Sequence, residues 1–71
     1  MKLAHEIKVG DELLLEVGRH HSYETYCKVL HIETQFDMWD SNKITYRFKV
    51  FGMKIEFFTK AYFFNERLTL K

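Results

Sequence analysis

Proline is absent from this chain of 71 residues, glycine occurs three times and cysteine once. No stretch has linker composition, and no repeat or low-complexity run divides the sequence, so one small domain over residues 1–71 is expected. The lone cysteine, Cys27, excludes an intramolecular disulfide and suits a reducing compartment. Met1-Lys2-Leu3-Ala4-His5-Glu6 carries no apolar signal, and no hydrophobic run anywhere approaches membrane-spanning length. A soluble, cytoplasmic protein, complete as it stands and with no membrane partner, is the expectation.

What the chain does have is apolar mass: 46% of it is hydrophobic and 17% aromatic, with seven Phe, four Tyr and one Trp. A domain this short buries only about 60% of its unfolded surface, so the aromatics must supply a dense core. Net charge is +1, but its distribution is uneven. Residues 1–40 hold four cations and eight anions, whereas residues 41–71 hold seven cations and two anions. Eight of the twelve aromatics also follow residue 40. Such segregation allows self-association if the two halves become separate faces.

Turn signals at Val9-Gly10-Asp11, Gly18–Ser22, Asp37–Asn42 and Phe51-Gly52 bound segments whose periodicity is mostly two. Glu12–Val17 reads as a strand with Leu13, Leu15 and Val17 inward. Residues 24–34 read as a longer strand, apolar on both parities, as a strand serving two packed surfaces would be, especially if bent by a bulge; a buried helix is the runner-up, against which Thr25, Tyr26, Val29, Ile32 and Thr34 argue. Ile44, Tyr46, Phe48 and Val50 alternate with Thr45, Arg47 and Lys49. A hairpin turning at Phe51-Gly52, through a two- or four-residue loop, would set Val50 opposite Met53, Phe48 opposite Ile55 and Tyr46 opposite Phe57. Residues 61–66 suit a short helical or 3-10 turn and 67–70 a closing strand; a helix across 58–68 is the competing reading.

The fold class expected is therefore all-β, a small and strongly bent five-stranded barrel. Val9-Gly10-Asp11-Glu12-Leu13 opening the first strand, Lys28-Val29-Leu30-His31-Ile32 in the second, and the order of elements resemble the SH3-like small barrels, which include KOW and Tudor modules. That resemblance implies a binding module without turnover, and it fixes no ligand.

Two surfaces stand out. In the hairpin register above, Lys43 faces Lys60, Thr45 faces Phe58, Arg47 faces Glu56 and Lys49 faces Lys54 on the outward side. Lys43, Arg47, Lys49, Lys54 and Lys60 around Phe58 would form a strip for single-stranded or RNA phosphates, with Phe58 stacking on a base. Solubilising lysines on an outward strand face are the plainer explanation. The second surface is Phe36-Asp37-Met38-Trp39-Asp40, where Met38 and Trp39 are candidate protein-binding anchors and Asp37, Asp40, Glu12 and Glu16 an acidic surround. Trp39 folding back over the core is the alternative.

Catalysis and metal binding have little to build on. His20, His21, Cys27 and His31 carry ligand chemistry, and Cys27 and His31 share strand parity, but no zinc-type spacing is present. Cys27 and His31 would also lie roughly 13 Å apart along one strand, too far for a thiol and its base. There is no Gly-rich phosphate loop. No enzyme activity, cofactor or metal is expected. A non-catalytic adaptor, accessory or inhibitor protein acting by protein recognition leads, with nucleic-acid binding as the alternative.

Overall fold

The computed structural model describes residues 1–18, 20–36 and 44–71. Among them are seven strands, one 3-10 turn and no α-helix. The core of the arrangement is an antiparallel sheet in which β2 (Glu12–Val17), β3 (Tyr23–Phe36), β4 (Ile44–Gly52) and β5 (Ile55–Phe58) are successive neighbours. β6 (Tyr62–Phe63) is the fifth strand of that sheet and pairs with β4 as well. The all-β expectation holds; the five-stranded sheet itself is not closed.

β2 lies where alternation placed it, with Leu13 and Leu15 buried and Glu12 and Glu16 exposed. It pairs with β3, Leu13 against Cys27 and Leu15 against Thr25. β3 resolves its double apolar character through a bulge. The β3–β4 register slips between Val29 and His31, which leaves Leu30 as the extra residue. One inserted residue exchanges the two faces of a strand. Before the bulge Cys27 and Val29 are buried; after it Ile32 pairs with Phe48, while His31 and Glu33 come opposite Lys49 and Arg47.

The β4–β5 hairpin departs from the sequence expectation. Its pairs are Gly52–Ile55, Phe51–Glu56, Val50–Phe57 and Lys49–Phe58, so the turn is Met53-Lys54 rather than Phe51-Gly52. Both turn residues have positive φ, 52° and 65°, as a type I′ hairpin demands. The shift preserves parity, so Phe48 and Val50 stay inside and Arg47 and Lys49 outside, but every cross-strand partner changes. Gly52 explains the choice. A Cβ at Gly52 would lie 2.4 Å from the Cys27 sulfur, so this glycine serves a close approach within the strand, not a turn. The left-handed conformations at Met53 and Lys54 that follow cost roughly 1–2 kcal/mol each.

Past β5 the chain keeps to the β4 edge. The Thr59 N–H donates to the Phe48 carbonyl at 2.9 Å, and the Thr59 hydroxyl accepts the Phe48 N–H at 3.2 Å, standing in for a backbone carbonyl where the strand breaks. β6 then pairs Tyr62 with Tyr46 and Phe63 with Thr45. The helical or 3-10 turn expected at 61–66 is thus a strand followed by a β-turn, closed by Glu66 N–H to Phe63 O at 3.0 Å. The free β4 edge at 44–46 offers backbone partners that a helix would forgo, and a strand buries Tyr62 beside Phe48. The 3-10 turn falls at Ala4–Glu6 instead.

The closing strand is split. β7 (Arg67–Leu68) pairs with β1 (Lys2–Leu3), and residues 69–71 then reach β2 through a Leu13–Leu70 bridge. Leu14 N–H to Thr69 O and Lys71 N–H to Glu12 O flank that bridge. Fully buried Leu13, Cys27, Val29, Phe48 and Val50 form the core, with Ala4 and Ile7 covering it from the N-terminal segment.

Gly52→Ala should destabilise the protein by about 1–3 kcal/mol in urea unfolding through overpacking against Cys27. Combined with Cys27→Ala it should cost clearly less than the sum of the single changes; additive costs would show that the glycine answers some other constraint.

Candidate functional site

The outward face of β3, β4 and β5 is read most easily as rows across the sheet. Glu12, Lys28, Phe51 and Glu56 form one row; His31, Lys49 and Phe58 the next; Glu33 and Arg47 a third; and Gln35, Thr45 and Phe63 a fourth. Tyr26, opposite Leu14, extends this face toward β2. Phe51 and Phe58 are each 46% exposed, Phe63 48% and Tyr26 41%, so the face presents aromatic surface rather than hiding it.

Arg47, Lys49 and Phe58 do come together. The Arg47 guanidinium carbon stands 4.5 Å from the Phe58 ring centroid and the Lys49 ammonium 5.9 Å, both within cation–π range. Each cation is also held by a carboxylate. Arg47 Nη2 and Nε donate to Glu33 Oε2 at 2.6 and 3.2 Å, and Lys49 Nζ lies 3.4 Å from Glu56 Oε2. The expected Lys49–Lys54 and Arg47–Glu56 pairs do not exist, because moving the turn to Met53-Lys54 puts Lys54 at the hairpin tip. Phe58 stands opposite Lys49, not Thr45. Lys60 sits in the break between β5 and β6, its Nζ 5.2 Å from the Tyr62 ring. Lys43 lies outside the described residues.

Of the protein-binding set, Asp37, Met38, Trp39 and Asp40 also lie outside the described residues. Glu12 faces Lys28 and carries an ion pair with Lys71 at 3.8 Å. Glu16 stands directly opposite Glu24, both exposed. Among the described residues the acidic and basic halves of the chain meet, since Arg47–Glu33 and Lys71–Glu12 each join one half to the other.

Cys27 and His31 do not share a face, contrary to their spacing. The Leu30 bulge turns His31 outward opposite Lys49 and leaves Cys27 fully buried. Among the described residues no three His, Cys, Asp or Glu side chains approach one another closely enough to ligate a common ion. Burial pushes the Cys27 thiol above its ordinary pKa, which keeps it protonated and unreactive. The Tyr62 hydroxyl is likewise raised, first by burial and then by the nearby Glu66 carboxylate.

Among the described residues, two clefts lie against the sheet. One of about 460 Å³ is lined by Glu33, Gln35, Thr45, Arg47, Thr59 and Lys60. The other, about 410 Å³, lies between β2 and β5 and is lined by Leu14, Leu15, Glu16, Phe57, Phe58 and Tyr62, among others. Sequence reasoning missed Glu33 as the partner of Arg47. Its signal was the bulge, since without the inserted Leu30 the parity of Glu33 points it inward. No family model, curated protein or solved structure matches the chain.

The raised thiol fixes a pH dependence. The unfolded chain loses its thiol proton near pH 8.5 while the folded one retains it, so Cys27 contributes stability below that pH that is lost as pH climbs toward the folded value. Between pH 7.5 and 9.5 the urea midpoint of the wild type should therefore fall more than that of Cys27→Ala; equal falls would contradict the buried, protonated thiol.

Proposed function

We propose that the chain is a non-catalytic binding module that recognises a protein through the outward face of β3–β4–β5. One observation carries this reading: Tyr26, Phe51, Phe58 and Phe63 are all exposed on the outward face, and Arg47 and Lys49 beside Phe58 are each paired with a carboxylate. Aromatic and arginine side chains are enriched at protein interfaces, and balanced charge sets specificity without drawing in a polyanion. The element order is consistent with an SH3-like barrel left open along one side. β2, β3, β4 and β5–β6 follow one another around the sheet, a tight turn precedes the last segment, and that segment returns to β2. An adaptor, accessory or inhibitor role in the cytoplasm is part of this proposal.

Nucleic-acid binding is the second reading, favoured by the stacking of Arg47 on Phe58 beside the cleft that holds Lys60. A bound phosphate would have to displace Glu33 from Arg47. Counterion release makes the two readings separable.

Capture of a partner from a nuclease-treated extract should be lost with Phe51→Ala and Phe58→Ala and retained with Lys54→Ala. Titration with a fluorescent single-stranded oligonucleotide should show no more than weak binding at 50 mM salt. Tight oligonucleotide binding that falls steeply by 200 mM salt, with capture indifferent to the two Phe changes, would overturn the protein reading in favour of the second.

A further inference from the structure

The cleft between β2 and β5 differs in kind from the outward face, because its two walls are strand edges. A two-residue hairpin at Met53-Lys54 makes Gly52–Ile55 a hydrogen-bonded pair, and bonding alternates from there. Ile55 and Phe57 therefore bond to β4, and the Thr59 N–H to Phe48 O bond continues the same phase. The N–H and C=O groups of Glu56 and Phe58 point the other way, into the cleft. On β2 the Leu14 N–H bonds outward to Thr69, so Glu12, Leu14 and Glu16 turn their backbone groups away from β3. The C-terminal segment, after pairing with β1 at residues 67–68, satisfies this edge only at Leu14 and Glu12 among the described residues. Outside the sheet ladder, the Glu16, Glu56 and Phe58 backbone groups make no backbone–backbone hydrogen bond among the described residues.

The side chains lining the cleft specify what fits. Leu15, Phe57 and Tyr62 supply apolar surface on the inner side, where the sheet's core begins. Lys60 also lines the slot, its ammonium 5.2 Å from the Tyr62 ring, while on the outer side Glu16 lines it and faces Glu24 of β3 in a non-hydrogen-bonded pair, the type with the closer side chains, where like charges destabilise a sheet. A cation seated beside them would relieve that repulsion. At about 410 Å³ the opening is a slot between edges rather than a deep ligand cavity. Of the candidate occupants, a single bare strand matches it best, because a second folded copy would bring further strands into space that β2 already holds.

Resting on the reading of the chain as a protein-binding module, we infer that this slot accepts one extended segment of a partner protein, alternating apolar side chains inward with Lys or Arg outward, by strand addition to the β5 edge. Main-chain bonds to Glu56 and Phe58 supply affinity; Glu16, which lines the slot, selects the basic residue beside it. The added strand runs antiparallel to β5, the more stable pairing.

The test is selection of random octapeptides on phage against the intact chain, followed by amide hydrogen exchange with the winning synthetic peptide. Enriched sequences should alternate apolar with Lys or Arg, and the bound peptide should protect the Glu56 and Phe58 amides. N-methylation of the peptide on alternate residues should abolish binding. Glu16→Lys, which replaces a like-charge pair with an attractive one and so leaves the fold intact, should weaken the winning peptide roughly tenfold. No enrichment, enrichment of helical or acidic patterns, or binding that leaves both amides unprotected would overturn the inference. Those results are distinguishable from failure of the module reading, which is tested by the Phe51→Ala effect on capture and does not involve the slot.

Discussion

The close approach of Gly52 to Cys27 is the constraint on which the rest of the sheet depends. With a sulfur occupying the space a Cβ would need, residue 52 must be glycine and must lie within β4 beneath β3. The strand then cannot turn until Met53, two residues that are poor at positive φ are forced into the hairpin, and the partner of every β4 residue on β5 follows. Arg47 loses Glu56 and Lys49 loses Lys54 as cross-strand neighbours. In their place Lys49 gains Phe58 opposite it and Glu56 diagonally.

A second local irregularity does comparable work on the other side of β4. The Leu30 bulge lets one strand of 14 residues serve the core with Cys27 and Val29 at one end and with Ile32 at the other. It also delivers His31 and Glu33 to the outer face. The charge balance of that face follows from the bulge, since Glu33 neutralises Arg47 only because one residue was inserted upstream. Exposed aromatic surface beside an Arg47 and a Lys49 that are each paired to a carboxylate is the outcome.

Much of the architecture was legible because alternation is a strong signal wherever one face is buried. Glu12–Val17 alternates cleanly and forms β2 with those bounds; Ile44–Val50 alternates and keeps its faces in β4. The double apolar parity of residues 24–34 read as a strand serving two packed surfaces rather than a buried helix, and the bulge is what lets it do so. What misled was chemistry with two meanings. Gly52 looked like a turn because glycine marks turns, whereas it marks a tight contact that only the fold creates. Tyr62-Phe63 looked like a cap because consecutive aromatics carry no alternation, yet the vacant edge of β4 recruits them. The Cys27–His31 spacing suggested a shared face because a bulge breaks parity without leaving a residue signature. The slot between β2 and β5 was invisible, as it depends on where the C-terminal segment stops pairing with β2.

The most direct test of this account is the β4–β5 register in solution, read from cross-strand Hα–Hα nuclear Overhauser contacts, which are strong only in non-hydrogen-bonded pairs. Contacts between Lys49 and Phe58 and between Phe51 and Glu56 are predicted. Contacts between Lys49 and Lys54 and between Arg47 and Glu56 would place the turn at Phe51-Gly52 and contradict it.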